Sequence, residues 1–294
     1  MITMKKILFI ALVTALLVGG CTKSDDEITS SKEMRFVAEY PSVTRATSSA
    51  FETGDVMGIF VTQHEGDVAL PLQVSGNYAN NSKGTFDGSK WSNSPSIFWA
   101  EGKFDIYAYY PYGKPASVDE YTFTVALDQS TPKTAEALSG YEASDFLWAK
   151  AEGVSQATTV PLLFNHRLSK IVVNLIKGKD YTGEIPTEAI VSIHSTVPTA
   201  KIDLASGMVV MDSYVTPQSI RTKKLEDGVY TAIIVPQRLQ TRRPFIEIVS
   251  EGVSYLVESS FVFRSGIQHT INITLNNNPD KVKIEIGGEI EGWE

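Results

Sequence analysis

Cysteine is nearly absent from this chain of 294 residues, which contains only Cys21. A lone thiol excludes an intramolecular disulfide and a zinc site made of several cysteines. Stability must therefore come from buried apolar surface, and an apolar content of 43% is ordinary for a globular protein.

Histidine is also scarce, and no familiar catalytic motif is present. The four histidines are not spaced like the ligands of a zinc-binding helix, and there is no Gly-x-Ser-x-Gly elbow or glycine-rich phosphate loop. The members of a Ser/His/Asp triad meet only in space, so the sequence does not test that arrangement. For His166, between Phe164 and Leu168, we expect a packed ring whose nitrogens bond to backbone. We expect no enzyme, no cofactor and no metal site.

Basic residues are outnumbered, with 26 Lys and Arg against 34 Asp and Glu and a net charge of −8. Binding to a nucleic-acid backbone needs clustered positive charge. We therefore expect no nucleic-acid partner.

Long apolar runs are missing except at the N-terminus, where Ile7 to Val18 is interrupted only by Thr14. About a dozen residues is short of the roughly 20 needed to span a bilayer, so this run is typical of a signal peptide. It follows Lys5 and Lys6 and precedes Gly19, Gly20 and Cys21. We expect a lipoprotein signal over residues 1–20, lipidation of Cys21 and an outer-membrane location. The alternative is an ordinary secretory signal beside a chance cysteine.

The tract from Thr22 to Glu27 is short and acidic. It resembles the surface-export signal of Bacteroidetes lipoproteins, and the alternative is a simple solvated tether.

The rest of the chain is rich in short alternating runs of Val, Ile, Phe, Tyr and Thr, separated by Gly, Asn, Pro, Ser and Asp. This pattern predicts an all-β protein of the sandwich or barrel type. One segment, Thr134 to Leu138, is compatible with a helical turn. Two halves that meet near Leu163 and Phe164 fit the usual size of a domain. The predicted strands are 35–38, 55–62, 103–109, 121–127, 169–176, 189–195, 229–235, 245–249, 255–263, 270–275 and 282–286.

An aromatic cluster surrounds the predicted strand at 103–109. Because side chains alternate along a strand, Phe104, Ile106 and Ala108 share one face, and Tyr107 and Tyr109 share the other. At least one row must pack in the core. The other row could form a platform on which sugars stack, and both interpretations stay open.

Two segments suggest a role for the ends of the chain. Arg45 and Ala46 lie in a Ser/Thr-rich stretch between apolar strands, which predicts an exposed segment that an Arg-specific protease could cut, or an inert loop. The terminal strand could complete its own sheet or pair with the open edge of another molecule. Its apolar residues are Val282, Ile284, Ile286, Ile290 and Trp293.

The ordered set of motifs resembles the fimbrillin family of Bacteroidetes, the subunits of type V pili. No single motif is specific, but the set covers essentially the whole chain. The motifs are the lipobox at Cys21, residues 34–36, 44–47, 51–60, Trp99, 106–112, 144–147, 163–170, 235–237 and 292–293.

This resemblance implies two tandem transthyretin-like (Greek-key) β-sandwich domains and cleavage between Arg45 and Ala46. Removal of the first strand would open a groove that a strand of the next subunit, commonly one near its C-terminus, fills. The implied parts are a signal peptide (1–20), a tether and cleavable propeptide (21–45), an N-terminal sandwich (46–163) and a C-terminal sandwich (164–294). The implied partners are other pilus subunits, the outer membrane and an Arg-specific protease. The alternative is a monomeric surface lipoprotein that binds a glycan or a host protein.

Overall fold

The computed structural model describes residues 32–39, 51–240 and 243–291, and these ranges are built almost entirely from β-strands. The all-β prediction is confirmed. In chain order the strands up to residue 166 are β1 (Phe36–Glu39), β2 (Val56–Glu65), β3 (Val68–Ala69), β4 (Ala79–Phe86), β5 (Trp91–Ser94), β6 (Phe104–Tyr110), β7 (Tyr121–Thr124), β8 (Leu147–Val154), β9 (Val160–Leu163) and β10 (Asn165–His166).

The remaining strands run to the C-terminal end of the described residues. They are β11 (Ser169–Lys177), β12 (Ile190–Thr196), β13 (Thr199–Asp203), β14 (Met208–Met211), β15 (Gln218–Arg221), β16 (Lys223–Glu226), β17 (Val229–Ile234), β18 (Gln237–Leu239), β19 (Pro244–Ser250), β20 (Val253–Glu258), β21 (Phe261–Phe263), β22 (Ile267–Leu275) and β23 (Lys283–Glu291).

The main sheet of the first half has the strand order β10-β8-β6-β2-β4-β5. All residues of β6 are buried, and so is the run from Met57 to Thr62 in β2. A strand covered on both faces needs apolar side chains on both, which explains the continuous apolar composition of these two central strands. One face carries Phe104 and Ile106, and the other carries Tyr107 and Tyr109.

A small parallel pair, β1 and β9, covers the first of these faces. Met34 and Phe36 from the start of the chain, with Val160 and Leu162 of β9, belong to the same buried cluster as Phe104. The first strand therefore helps to close the core of the N-terminal half.

The second half contains the sheets β16-β17-β11-β22-β23 and β15-β12-β19-β20. Residues of β11 and β22 alternate strictly between buried and half-buried along most of their length, as in a sheet with one face on the core. Their buried side chains include Ile171, Val173, Ile271 and Ile273, which pack with Ile246 of the opposite sheet.

One small sheet, β14-β13-β7, joins the two halves, because β7 comes from the first and β13 from the second. The described residues accordingly belong to one compact unit. The indole N–H of Trp148 in β8 adds a hydrogen bond to the carbonyl of Leu204, at 2.7 Å.

The helical turn predicted at Thr134–Leu138 is wrong. That segment is an irregular bend, and a short 3-10 helix occurs instead at Glu142–Ser144. The hydroxyl of Ser139 accepts the backbone N–H of Glu142, and the Glu142 carboxylate accepts the N–H of Ser139, so a reciprocal cap begins the helix one turn later.

Candidate functional site

The first described segment is bonded to the body through its backbone on two sides. On one side, the N–H of Met34 donates to the carbonyl of Ile97 at 2.7 Å, and the N–H of Trp99 donates to the carbonyl of Lys32 at 2.8 Å. These bonds fix the start of the segment antiparallel to residues 97–99.

On the other side, β1 runs parallel to β9. The N–H of Val160 donates to the carbonyl of Arg35, and the N–H of Phe164 donates to that of Glu39, both at 2.8 Å. Phe36 lies directly opposite Val160 in this ladder. The segment is thus an integral strand, held by hydrogen bonds to two parts of the chain distant from it in sequence.

Side chains of this strand alternate between the core and the surface. Met34 and Phe36 are 1% and 3% exposed, whereas Val37 is 45% exposed. Burying each of the two core side chains contributes about 1.5–3 kcal/mol. The pocket that receives them also contains the buried residues Ile97, Trp99, Val160, Leu162 and Phe164.

Arg45 and Ala46 lie outside the described residues, as does Cys21. The chain is described again from Phe51, whose ring packs edge-on against Trp91, Tyr110 and Phe164 at centroid distances of 4.9, 5.3 and 5.3 Å. The predicted cleavage site therefore lies between two segments that are each anchored in the same core.

The terminal strand β23 pairs antiparallel with β22 at the edge of its own sheet. Val282 and Ile284 are partly buried against the core, whereas Ile286 and Ile290 are 60% and 47% exposed. Trp293 lies outside the described residues.

A β-bulge divides this strand. Ile286 lies opposite Ile271 and Gly288 lies opposite Thr270, so Gly287 is an extra residue without a partner. Beyond the bulge, Ile290 lies opposite Gln268 and faces away from the side that Ile284 and Ile286 share. The single apolar face suggested by the sequence is therefore interrupted at the glycines.

The sequence profile of the fimbrillin-like family matches residues 44–293. This chain belongs to the fimbrillin-like family. No curated protein sequence matches this fimbrillin-like chain.

Solved structures share the fold of this fimbrillin-like chain. A candidate cell adhesion protein from Bacteroides ovatus has a TM-score of 0.70 and 20% identity, over 89% of this chain and 98% of its own. One from Bacteroides uniformis has a TM-score of 0.68 and 19% identity, over 90% and 99%. A fimbrial protein from Bacteroides vulgatus has a TM-score of 0.54 and 15% identity, over 89% and 100%.

The aromatic rows of the fimbrillin-like chain are core on both faces. Tyr107 and Tyr109 are 5% and 1% exposed, and Trp99 is 3% exposed. Burial raises the pKa of the Tyr109 hydroxyl, which donates to Asn81 at 2.8 Å. The interpretation of these rows as a sugar platform is wrong, because the second half and β7 cover the face that the sequence left open.

Each of the two buried histidines, His166 and His269, lies beside a carboxylate. His166 Nδ1 lies 2.8 Å from the Asp145 carboxylate, instead of bonding only to backbone as expected. Nowhere in residues 32–39, 51–240 and 243–291 do three His, Cys, Asp or Glu side chains gather as metal ligands. Among the same residues, no helix combines the length and the apolar character that crossing a membrane requires.

A Ser-His-Glu chain lies on the outer face of the second half. His194 Nδ1 is 2.6 Å from the Ser219 hydroxyl, and its Nε2 is 3.0 Å from the Glu247 carboxylate. The Ser254 hydroxyl, by donating to Glu247, contributes most to lowering the pKa of that carboxyl group. These contacts connect the neighbouring strands β15, β12, β19 and β20, and sequence spacing gave no sign of them.

A cleft of about 440 Å³ lies beside the end of β6. The Tyr110 hydroxyl donates to Asp55 at 3.3 Å, and Lys133 pairs with Glu52 at 2.7 Å, which raises the pKa of the Lys133 ammonium. Other polar side chains that line the cleft are Lys83 and Tyr112.

Proposed function

We propose that this fimbrillin-like protein is a structural and adhesive pilus subunit, assembled at the outer membrane by exchange of strands between subunits. Its precursor is lipidated at Cys21 and loses residues 1–20, and an Arg-specific protease cuts between Arg45 and Ala46. Membership of the family supports the pilus role, and the role requires no catalysis. One observation carries the mechanism. The strand that precedes Arg45 fills a pocket in the core, yet it lies before residues 44–293, the part of the chain that matches the family profile.

Loss of the first strand would create a groove with unmet bonding groups. The N–H groups of Trp99, Val160 and Phe164 would each lose a carbonyl acceptor. The apolar pocket of Met34 and Phe36 would open to water. An open sheet edge of this kind favours capture of another strand.

The terminal strand has the pattern that the groove requires. Residues 34–39 and residues 284–289 share a pattern. Each stretch has a large apolar residue at its first and third positions, a small residue at its fifth and Glu at its sixth. In this register Ile284 and Ile286 of a neighbouring subunit take the places of Met34 and Phe36. Gly288 takes the place of Ala38, and main-chain hydrogen bonds replace those of the lost strand. Val282, Ile290 and Trp293 flank this stretch.

Filling the groove would contribute free energy to the link between subunits. Two isoleucine side chains entering the pocket contribute about 3–6 kcal/mol. The restored hydrogen bonds add about 0.5–1.5 kcal/mol each, because leaving them unmade in a partly apolar groove is costly.

We further propose two domains, at residues 46–163 and 164–294. The sheets support this division, because the main sheet lies before residue 164 except for the short β10, and the sheets β16-β17-β11-β22-β23 and β15-β12-β19-β20 lie wholly after it. The sheet that joins β7 to β13 would hold the domains together within a fibre.

The test uses the chain from residue 22 onward and an Arg-specific protease. The unchanged chain should lose residues 22–45 and then form polymers that appear as heat-sensitive ladders on a gel. Arg45→Ala should remain uncut and monomeric. Arg35→Ala is the matched control, because it also removes one arginine, but from the position just before β1, and it should be cut and polymerise normally. Normal polymerisation of Arg45→Ala would reject the proposal.

The second candidate is a monomeric surface lipoprotein that binds a glycan or another host ligand. The cleft near Tyr110 favours it, because ligand pockets are commonly concave with a few convergent polar groups. Calorimetric titration with a panel of oligosaccharides should then give binding that Tyr112→Ala weakens. If neither the oligosaccharides nor a host-cell extract gave a measurable heat of binding, this candidate would be rejected.

A further inference from the structure

Glu289 joins the terminal strand to the body through two contacts. Its Oε1 lies 3.1 Å from Nδ1 of His269 in β22, and its Oε2 pairs with Nη2 of Arg264. His269 is 0% exposed, and its Nε2 accepts the backbone N–H of Arg264 at 3.3 Å. Nε2 is therefore the acceptor nitrogen, and Nδ1 carries the proton that it donates to Glu289.

Few other side-chain contacts hold the outer half of this strand. Ile286 and Ile290 are mostly or half exposed, and Gly287 and Gly288 between them have no side chains. The inner half differs, since Val282 and Ile284 pack against the core. Among the residues described, Glu289 is therefore the main side chain that retains the outer half, beside the backbone ladder.

We propose that Glu289 is a latch that keeps the terminal strand on its own sheet until the strand is donated. The bulge at Gly287 returns Glu289 to the core side of the sheet, opposite His269. Without the extra residue, Glu289 would face outward. Bulge and latch thus act together, and the consequence for assembly rests on the strand exchange proposed above.

The strand contains a matched control, Glu285. It also lies in β23 and is exposed, but it faces Asn272 and forms no ion pair among the residues described. Glu285→Ala and Glu289→Ala therefore remove the same charge from the same strand, but only Glu289→Ala removes the contacts to His269 and Arg264.

Hydrogen exchange measured by mass spectrometry tests the latch in the uncleaved precursor. Glu289→Ala should raise the exchange rate of a peptide covering residues 283–291 by about tenfold, because charge-assisted hydrogen bonds are the stronger ones and opening is local. Arg264→Ala should raise it less, because the His269 contact remains. Glu285→Ala should leave it within about twofold. Unchanged exchange of a peptide covering β11 confirms that the body stays folded.

Equal exchange of residues 283–291 in Glu289→Ala and Glu285→Ala would overturn the latch. Assembly after cleavage separates this inference from the proposed function. If Glu289→Ala exchanges faster and also polymerises faster, both stand. If it exchanges faster but polymerises at the unchanged rate, the latch stands and the donor assignment of β23 fails.

Discussion

Phe36 and Val160 lie directly opposite each other in a parallel ladder that joins residues 124 positions apart (160 − 36). Phe36 is 3% and Val160 is 1% exposed. We expect Phe36→Ala to weaken docking of the first strand by about 3 kcal/mol, through lost burial and the cavity left behind. Hydrogen exchange at the amides of Val160 and Phe164, which donate to this strand, should accelerate about a hundredfold in the precursor.

Val37→Ala is the control for this substitution, because Val37 belongs to the same strand and is 45% exposed. Its effect on the same amides should stay below about 1 kcal/mol. Equal effects of the two substitutions would show that the first strand is not held by its core side chains.

Acid should destabilise the fold through His269. Burial lowers the pKa of this imidazole below its ordinary 6.5, the facing Glu289 carboxylate opposes that shift, and Arg264 adds to it. Phe261 and Phe263 complete its surroundings. The unfolded chain binds a proton near pH 6.5 that the folded chain does not, so this stability is present above pH 6.5 and is lost as the pH falls below it.

The measurement is the urea unfolding free energy between pH 7.5 and 5.0. The unchanged chain should lose up to about 1.4 kcal/mol per pH unit more than His269→Gln over this range. Glu247 and Asp105, whose carboxyl pKa values are lowered, would add their loss only at more acidic pH. Parallel curves for the two proteins would refute the role of His269.

Gly207 should tolerate no side chain. Its φ is +70°, and a Cβ would lie 2.6 Å from Cδ2 of Trp148 and 2.8 Å from Nε of Arg167, whose guanidinium stacks on that indole. We expect Gly207→Ala to lower the unfolding free energy by more than about 2 kcal/mol.

Gly66→Ala separates the clash from the backbone effect. Gly66 has a similar φ of +64°, but a Cβ there would meet nothing within 4 Å. Its cost should be about 1 kcal/mol, from the left-handed conformation alone. If denaturant unfolding gave equal costs for both variants, the contact between Gly207 and Trp148 would not constrain the junction of the two halves.

Part of the fold was predictable from the pattern of burial along individual strands, although β9 and β13 were missed despite their alternating burial. β6, β11 and β22 were predicted from alternation or apolar composition, and their burial explains why. β4 was missed, because its sequence of small and polar residues has mostly exposed or half-buried side chains. The predicted run at 255–263 is two strands in different sheets, β20 and β21, a distinction that no local pattern encodes.

The candidate site was predictable only in part. Alternation gave the first strand and the terminal strand, but not their partners, since β1 pairs with β9 far along the chain. The bulge that turns Ile290 away from Ile286 depends on the pairing with β22. The roles of Cys21, Arg45 and Trp293 stay predictions, because these residues lie outside the described ranges.

In the proposed polymer, the terminal strand of a neighbouring subunit occupies the place of residues 34–39. The most direct measurement is disulfide formation in the cleaved polymer of Val160→Cys/Ile286→Cys, because Ile286 should lie where Phe36 lay, opposite Val160. Cleavage after Arg45 also removes Cys21, so no other thiol competes. Val160→Cys/Glu285→Cys is the control, since residue 285 would face outward.

Strand exchange in this register predicts a ladder of covalently linked subunits on a non-reducing gel for the first variant. Reductant should collapse that ladder, and the control should show little linkage. Unlinked subunits in a polymer of Val160→Cys/Ile286→Cys, or equal linkage in both variants, would contradict strand exchange in this register.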